Sequence, residues 1–253
     1  MSSIQNIDIK NIQEELRKFL EHTKKCLPHI SIYTVIFSFN NDNLNVLLLR
    51  FGDTQYFSLP GGFVLKNEKI DDASLRILKK RTDLSKLYIE QFTTTGNVEN
   101  PNEDIYNETL KKMGIVLPDN NLMNQRRISI CYYSLIDAAK VNPKGNDFFV
   151  SEVKWRSVQK LPELMYDHKL IIEKAISKLQ LDMDRKLVSY NLMNETFTMG
   201  ELQKLYEAVF QREFTRTNFQ RKMLSLNILE RLDKKYSGES HKAPYLYRFK
   251  NIQ

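Results

Sequence analysis

Residues 62–84 read GFVLKNEKIDDASLRILKKRTDL and follow directly on Leu59-Pro60-Gly61. The glycines close an extended run, and the pattern turns helical from about Asp71 to Thr82. Asp71 or Asp72 can cap that helix, and Ala73, Leu75 and Leu78 supply its apolar positions. Upstream, SIYTVIFSFN (31–40) and LNVLLLR (44–50) are β-rich runs around Asn41-Asp42-Asn43, the turn chemistry of a hairpin. Downstream, strands are expected over 89–94, 127–136 and 152–155, and a helix from His168 to Leu179 closes the domain. Between them lies a polar insertion, 99–125, with a helical stretch at 105–113 ended by Gly114. Ahead of everything, Ile12, Leu16 and Leu20 mark an amphipathic helix over 10–25.

The 62–84 stretch resembles the Nudix box, whose pattern runs Gly, five residues, Glu, seven residues, Arg-Glu-apolar-any-Glu-Glu-any-Gly-apolar. Gly62, Glu68, Arg76, Leu78 and Leu84 fall in register. In Nudix hydrolases the box glutamates hold Mg²⁺, which needs hard oxygen ligands, against a pyrophosphate. Here those positions are Ile77, Lys80 and Arg81. Two cations repel Mg²⁺, and Glu68 alone cannot complete its shell. The sequence therefore predicts no catalytic residue, no metal site and no cofactor. Lys79, Lys80 and Arg81 complement the negative end of their helix, or else Arg76 and Lys80, four apart on one face, meet an anionic effector in the old substrate cleft. The candidate effector residues are Arg50, Gly62, Glu68, Arg76, Lys80 and Arg127. His168, opening a helix, reads as a packing or capping residue.

From Thr198 the sequence spaces Leu202, Leu205, Tyr206 and Val209 on one helix face. After a break at 210–214, Thr215 can cap a second helix in which Phe219, Met223 and Leu226 point inward. Two strands, 228–232 and 245–249, flank a basic loop. The reading is a winged helix-turn-helix. Its candidate DNA contacts are Thr215, Arg216, Thr217, Asn218, Gln220, Arg221 and Lys222 on the second helix, and Lys234, Lys235, His241 and Lys242 in a flexible wing. A winged helix can also serve as a protein-docking module.

Charge and composition agree with that layout. The net charge is +7 over 253 residues, and residues 196–253 hold 11 Lys or Arg against 6 Asp or Glu. A basic C-terminal fifth suits a polyanion. Two distant cysteines, Cys26 and Cys131, offer no disulfide framework and fit a reducing compartment. The chain has neither a signal peptide nor a run long enough to span a membrane, so a cytoplasmic location is expected.

The whole is similar to the Nudix-related transcription regulators, NrtR- and AraR-like. Beyond the box, the resemblance rests on Arg127-Ile128-Ser129, Tyr132-Tyr133, Trp155, Leu161-Pro162, Tyr166-Asp167-His168, FTMGELQKLYEAVF, NFQRKML and YLYRF. It implies an α+β chain in which a Nudix-type α/β/α sandwich precedes the winged helix. The expected division is an N-terminal helix over 1–28, an effector-sensing domain over 29–181 and a DNA-binding domain over 182–253. It further implies a homodimeric bacterial regulator, a repressor, bound to an inverted-repeat double-stranded operator and answering to a sugar or an ADP-ribose-like nucleotide. The alternative is a divergent Nudix hydrolase of nucleoside diphosphate derivatives using Glu99, Glu103 or Glu108. A protein-docking adaptor is the third reading.

Overall fold

The computed structural model describes residues 9–84, 88–96, 103–112, 115–118, 121–141, 150–185, 192–235 and 243–250. Glu99, Gly114, His241 and Lys242, singled out above, lie outside these residues, as does most of the wing loop. Among the described residues, no helix is long and apolar enough to cross a membrane.

Helix α1 (Ile9–Lys24) leads into strands β1 (Cys26–Asn40) and β2 (Asn43–Phe51). Asn41 and Asp42, at φ 50° and 58°, form the tight turn between them, a conformation that short polar side chains tolerate. Strand β1 starts earlier than its apolar run because a register shift between Cys26 and Ser31 carries it past His29, at φ 64°. Then follow β3 (Phe57–Ser58), β4 (Gly61–Leu65), α2 (Ile70–Thr82), β5 (Tyr88–Thr95), α3 (Glu103–Lys112), β6 (Ile128–Leu135), β7 (Val150–Ser157) and α4 (His168–Arg185). The sheet runs β3-β2-β1-β6-β5, with β4 added on β1 and β7 on β2. Strands β1 and β6 are parallel at its centre.

Alternation along β1 assigns the two faces. Ile32 and Ile36 pack with Ala73, Ile77 and Leu78 of α2, whereas Val35 and Phe37 pack with Ile171, Ile172, Ala175 and Leu179 of α4. This is a three-layer α/β/α sandwich. Within the insertion, Leu110 and Ile115 are buried with Phe51 and Met165, and Leu16 of α1 packs against the cluster. Asp71 and Asp72 do not cap α2. The capping position is Lys69, without a side-chain bond; both acids lie in the first turn, where they suit the helix dipole, and Asp71 accepts the Tyr132 hydroxyl at 2.5 Å.

The apolar cluster on the α4 face does not stop at the sandwich. It continues through Met183 and Leu192 into Phe197, Leu202, Leu205, Phe219 and Phe249. The C-terminal elements are β8 (Phe197–Thr198), α5 (Met199–Phe210), α6 (Arg216–Ser225), β9 (Leu229–Lys234) and β10 (Tyr245–Phe249), with a β8-β10-β9 sheet. Gln180 of α4 donates to the Val209 carbonyl at 2.9 Å, and Lys204 of α5 pairs with Asp42 of the β1–β2 turn at 2.6 Å.

His168 is fully buried. Its Nδ1 accepts the Leu59 backbone N–H at 3.1 Å, and its ring meets Tyr33 edge-on at 4.4 Å. Burial, and then the Arg127 charge, push its pKa from 6.5 down to about 3. The folded state thus keeps the ring neutral where the unfolded chain takes up a proton. The stabilisation is full above pH 6.5 and is lost as pH falls toward 3, by about 1.4 kcal/mol per pH unit. Urea unfolding of the native chain and His168→Gln across pH 7.5 to 5 should give the native chain the steeper loss. Parallel curves would contradict the buried neutral ring.

Candidate nucleic-acid interface and ligand cleft

The two helices α5 and α6 form around an aromatic cluster. Tyr206 packs edge-on to Phe219 at 5.2 Å and lies parallel to Phe210 at 6.0 Å, and Phe214 leans on both phenylalanines. Thr198 caps α5 through a complete capping box with Glu201. In α6, Phe219 and Met223 are buried, which leaves Arg216, Thr217, Gln220 and Arg221 exposed on the other face. Thr215 holds the capping position without a side-chain bond. Arg221 donates to Asn218 Oδ1 at 3.2 Å, so two candidate readers brace each other.

The cations divide. Lys222 folds its ammonium over the Tyr206 ring at 5.7 Å. Lys234 and Lys235 are not in a flexible loop: Lys234 is the last residue of β9, and the Lys235 N–H donates to the Pro244 carbonyl at 2.8 Å. The Lys235 ammonium reaches Glu201 at 3.4 Å and Lys234 lies over Tyr245 at 5.4 Å, so local partners hold both. Two arginines escaped the sequence reading. Arg212, in the turn between the helices, rests on the Phe214 ring at 4.8 Å, and Arg231 of β9 rests on Tyr245 at 4.6 Å. The Phe210-Gln-Arg-Glu-Phe214 spacing was the available signal for the first; the second needs strand register.

In the box, Glu68 and Arg76 pair with each other. Arg76 Nε and Nη2 donate to the two carboxylate oxygens at 2.7 and 2.8 Å, and Nη2 also donates to the Phe63 carbonyl. That pairing holds Glu68 below the usual carboxylate range, the Arg76 hydrogen bond being the main cause. Ile77 is buried, and a Cβ on Gly62 would approach its side chain to 3.2 Å. Lys80 is exposed and Arg81 buried. Burial lowers the His22 pKa at the end of α1, and the charges of Arg76 and Lys80 lower it further. An isoleucine, two cations and a carboxylate committed to arginine do not fit Mg²⁺. Among the described residues, no three His, Cys, Asp or Glu side chains cluster as a metal site. Glu108 is exposed on α3.

The other effector candidates lie on both sides of the box, with Arg127 over the Phe63 ring at 6.0 Å. Arg50 is held at β7 by Glu152 at 3.5 Å and Ser151 at 3.3 Å. Arg127 lies on the α4 side, buried, in a small cleft with Tyr33, Ser129, Tyr166 and Asp167. Its Nη1 donates to the Leu122 and Met123 carbonyls at 3.1 and 2.6 Å.

Comparison with known proteins adds the following. Residues 189–249 match the family described as the NrtR DNA-binding winged helix domain. The chain is 24% identical over 229 residues to a protein of Acinetobacter baylyi named ADPR responsive transcriptional repressor NtrR, covering 88% of this chain and 82% of that one. Its fold is similar to Shewanella oneidensis NrtR solved with a 27mer DNA, with a TM-score of 0.65 and 24% identity over 87% of this chain and 93% of that one. It is also similar to a MutT/nudix family protein from Enterococcus faecalis, with a TM-score of 0.61 and 21% identity over 98% and 100% of the two chains.

The Glu68–Arg76 pair yields a prediction. In a double-mutant cycle of Glu68→Gln and Arg76→Met, chemical unfolding should show a coupling of about 2 kcal/mol, as for a charged, bidentate and partly buried bond. Additive losses would mean that the pair contributes nothing.

Proposed function

We propose that this chain, whose residues 189–249 form an NrtR-type DNA-binding winged helix behind a Nudix-type sandwich, is a ligand-responsive transcription regulator. The observation that carries the reading is the exposed face of α6, Arg216, Thr217, Gln220 and Arg221, set by burial of Phe219 and Met223 in a domain of that family. A helix presented this way enters the major groove, where Arg and Gln match base edges, while neighbouring cations meet phosphate. The Acinetobacter relative is named as an ADPR responsive repressor, so repression relieved by an ADP-ribose-like nucleotide is the form tested first. A pseudo-twofold operator requires a dimer with its α6 helices about one DNA turn apart, roughly 34 Å.

The box supports a sensor that does not turn its ligand over. With Mg²⁺ or Mn²⁺ added, the purified chain should leave ADP-ribose intact above background; robust metal-dependent hydrolysis would make it an enzyme.

The interface separates two kinds of loss. Arg221→Ala should weaken a footprinted operator by about 1–3 kcal/mol and random DNA little. Arg212→Ala should weaken both alike and reduce the salt slope by about one unit per protomer, as expected for a contact with one phosphate. Binding isotherms at several salt concentrations on both DNAs measure this. No DNA affinity at low salt would favour protein docking instead.

A further inference from the structure

Four observations meet at Tyr166, Asp167 and His168, at the start of α4. Arg127 is only 8% exposed, and its guanidinium is met by neutral oxygens: the carbonyls of Leu122 and Met123 and the hydroxyls of Tyr33 and Tyr166. A buried cation matched by neutral groups favours an anion beside it. His168 uses Nδ1 to accept the Leu59 N–H, so the neutral ring carries its proton on Nε2, and that buried nitrogen has no partner. Its ring lies between Tyr33 and Tyr166, which both line the cleft. Tyr166 has φ 53°, a left-handed conformation that costs a bulky residue energy and recurs at ligand clamps. Finally, Tyr166 and Asp167 of the cleft directly precede an 18-residue helix, whose dipole favours negative charge at that end.

The cleft holds only about 10 Å³, room for one water. We propose that it is the closed form of an anion site, which takes the phosphate group of a small effector when Tyr166 relaxes outward, and that α4 conveys its occupancy to the winged helix. The proposal deepens the ligand-responsive reading and rests on it. Helix α4 is suited to the task because its far end touches α5, Gln180 on the Val209 carbonyl and the Met183 carbonyl on the Tyr206 hydroxyl at 3.4 Å. Asp167 also lines the cleft, and its carboxylate opposes an incoming anion.

The test needs no DNA. Long-range ¹H–¹⁵N spectra of the full chain, labelled at histidine, follow His168 Nε2 during titration with inorganic phosphate, ribose 5-phosphate and ribose. Both phosphate-bearing probes should shift that resonance saturably and ribose should not. Tighter binding of ribose 5-phosphate than of phosphate would mark an organic effector, and equal binding would mark free phosphate as the ligand. Tyr33→Phe keeps the ring and removes one hydroxyl; it should weaken binding about tenfold, the usual loss for a bond to a charged group. Asp167→Asn should tighten binding. No shift with either phosphate probe, or shifts that both variants leave unchanged, would overturn the anion site. DNA binding retained in the same preparation would leave the regulator reading standing.

Discussion

The structure depends on one constraint: the sandwich and the winged helix share a single apolar core. Ile171, Leu179 and Met183 of α4 are buried on the sheet side, and the same cluster continues without a break to Leu202, Leu205, Tyr206 and Phe219. Domains joined by a polar interface move freely by default, whereas a continuous apolar contact fixes their relation. The Lys204–Asp42 pair adds a second point of attachment. Being exposed, it contributes orientation more than stability. A change in the sandwich that moves α4 must therefore repack the base of the DNA-binding helices, and packed cores repack in steps rather than bend smoothly.

That arrangement gives the altered Nudix box its meaning. The fold keeps the Gly62 approach to α2 and the Glu68–Arg76 clamp, both of which shape the loop before the helix. The box positions that the Nudix pattern gives to carboxylates are Ile77, Lys80 and Arg81 here. Ile77 joins the α2-side core, so this position serves packing.

Much of this was legible in the sequence because local rules sufficed. The Asn41-Asp42 turn, the Thr198–Glu201 capping box and the strand at Tyr245–Phe249 stand where short-range chemistry puts them. That Lys235 is tied down was not legible, because its bond to Pro244 and its ion pair with Glu201 join residues distant in sequence. Strand β8, two residues long, has no periodicity to detect and exists only because β10 offers an edge. Arg76 looked free for a ligand because its partner is eight residues away across a loop. Arg127 and His168 were noticed separately; only the parallel pairing of β1 with β6 and the descent of α4 onto Tyr33 bring them together.

A sensor coupled to a DNA-binding head through a shared core must obey linkage: whatever factor a ligand imposes on DNA affinity, DNA imposes on the ligand. The direct measurement is the ADP-ribose dissociation constant of the full chain, free and saturated with its footprinted operator. The account predicts that the operator weakens ADP-ribose binding by the same factor by which ADP-ribose weakens operator binding, about 5- to 150-fold for ordinary couplings. Equal ADP-ribose affinity in both states, or no binding in either, would contradict it.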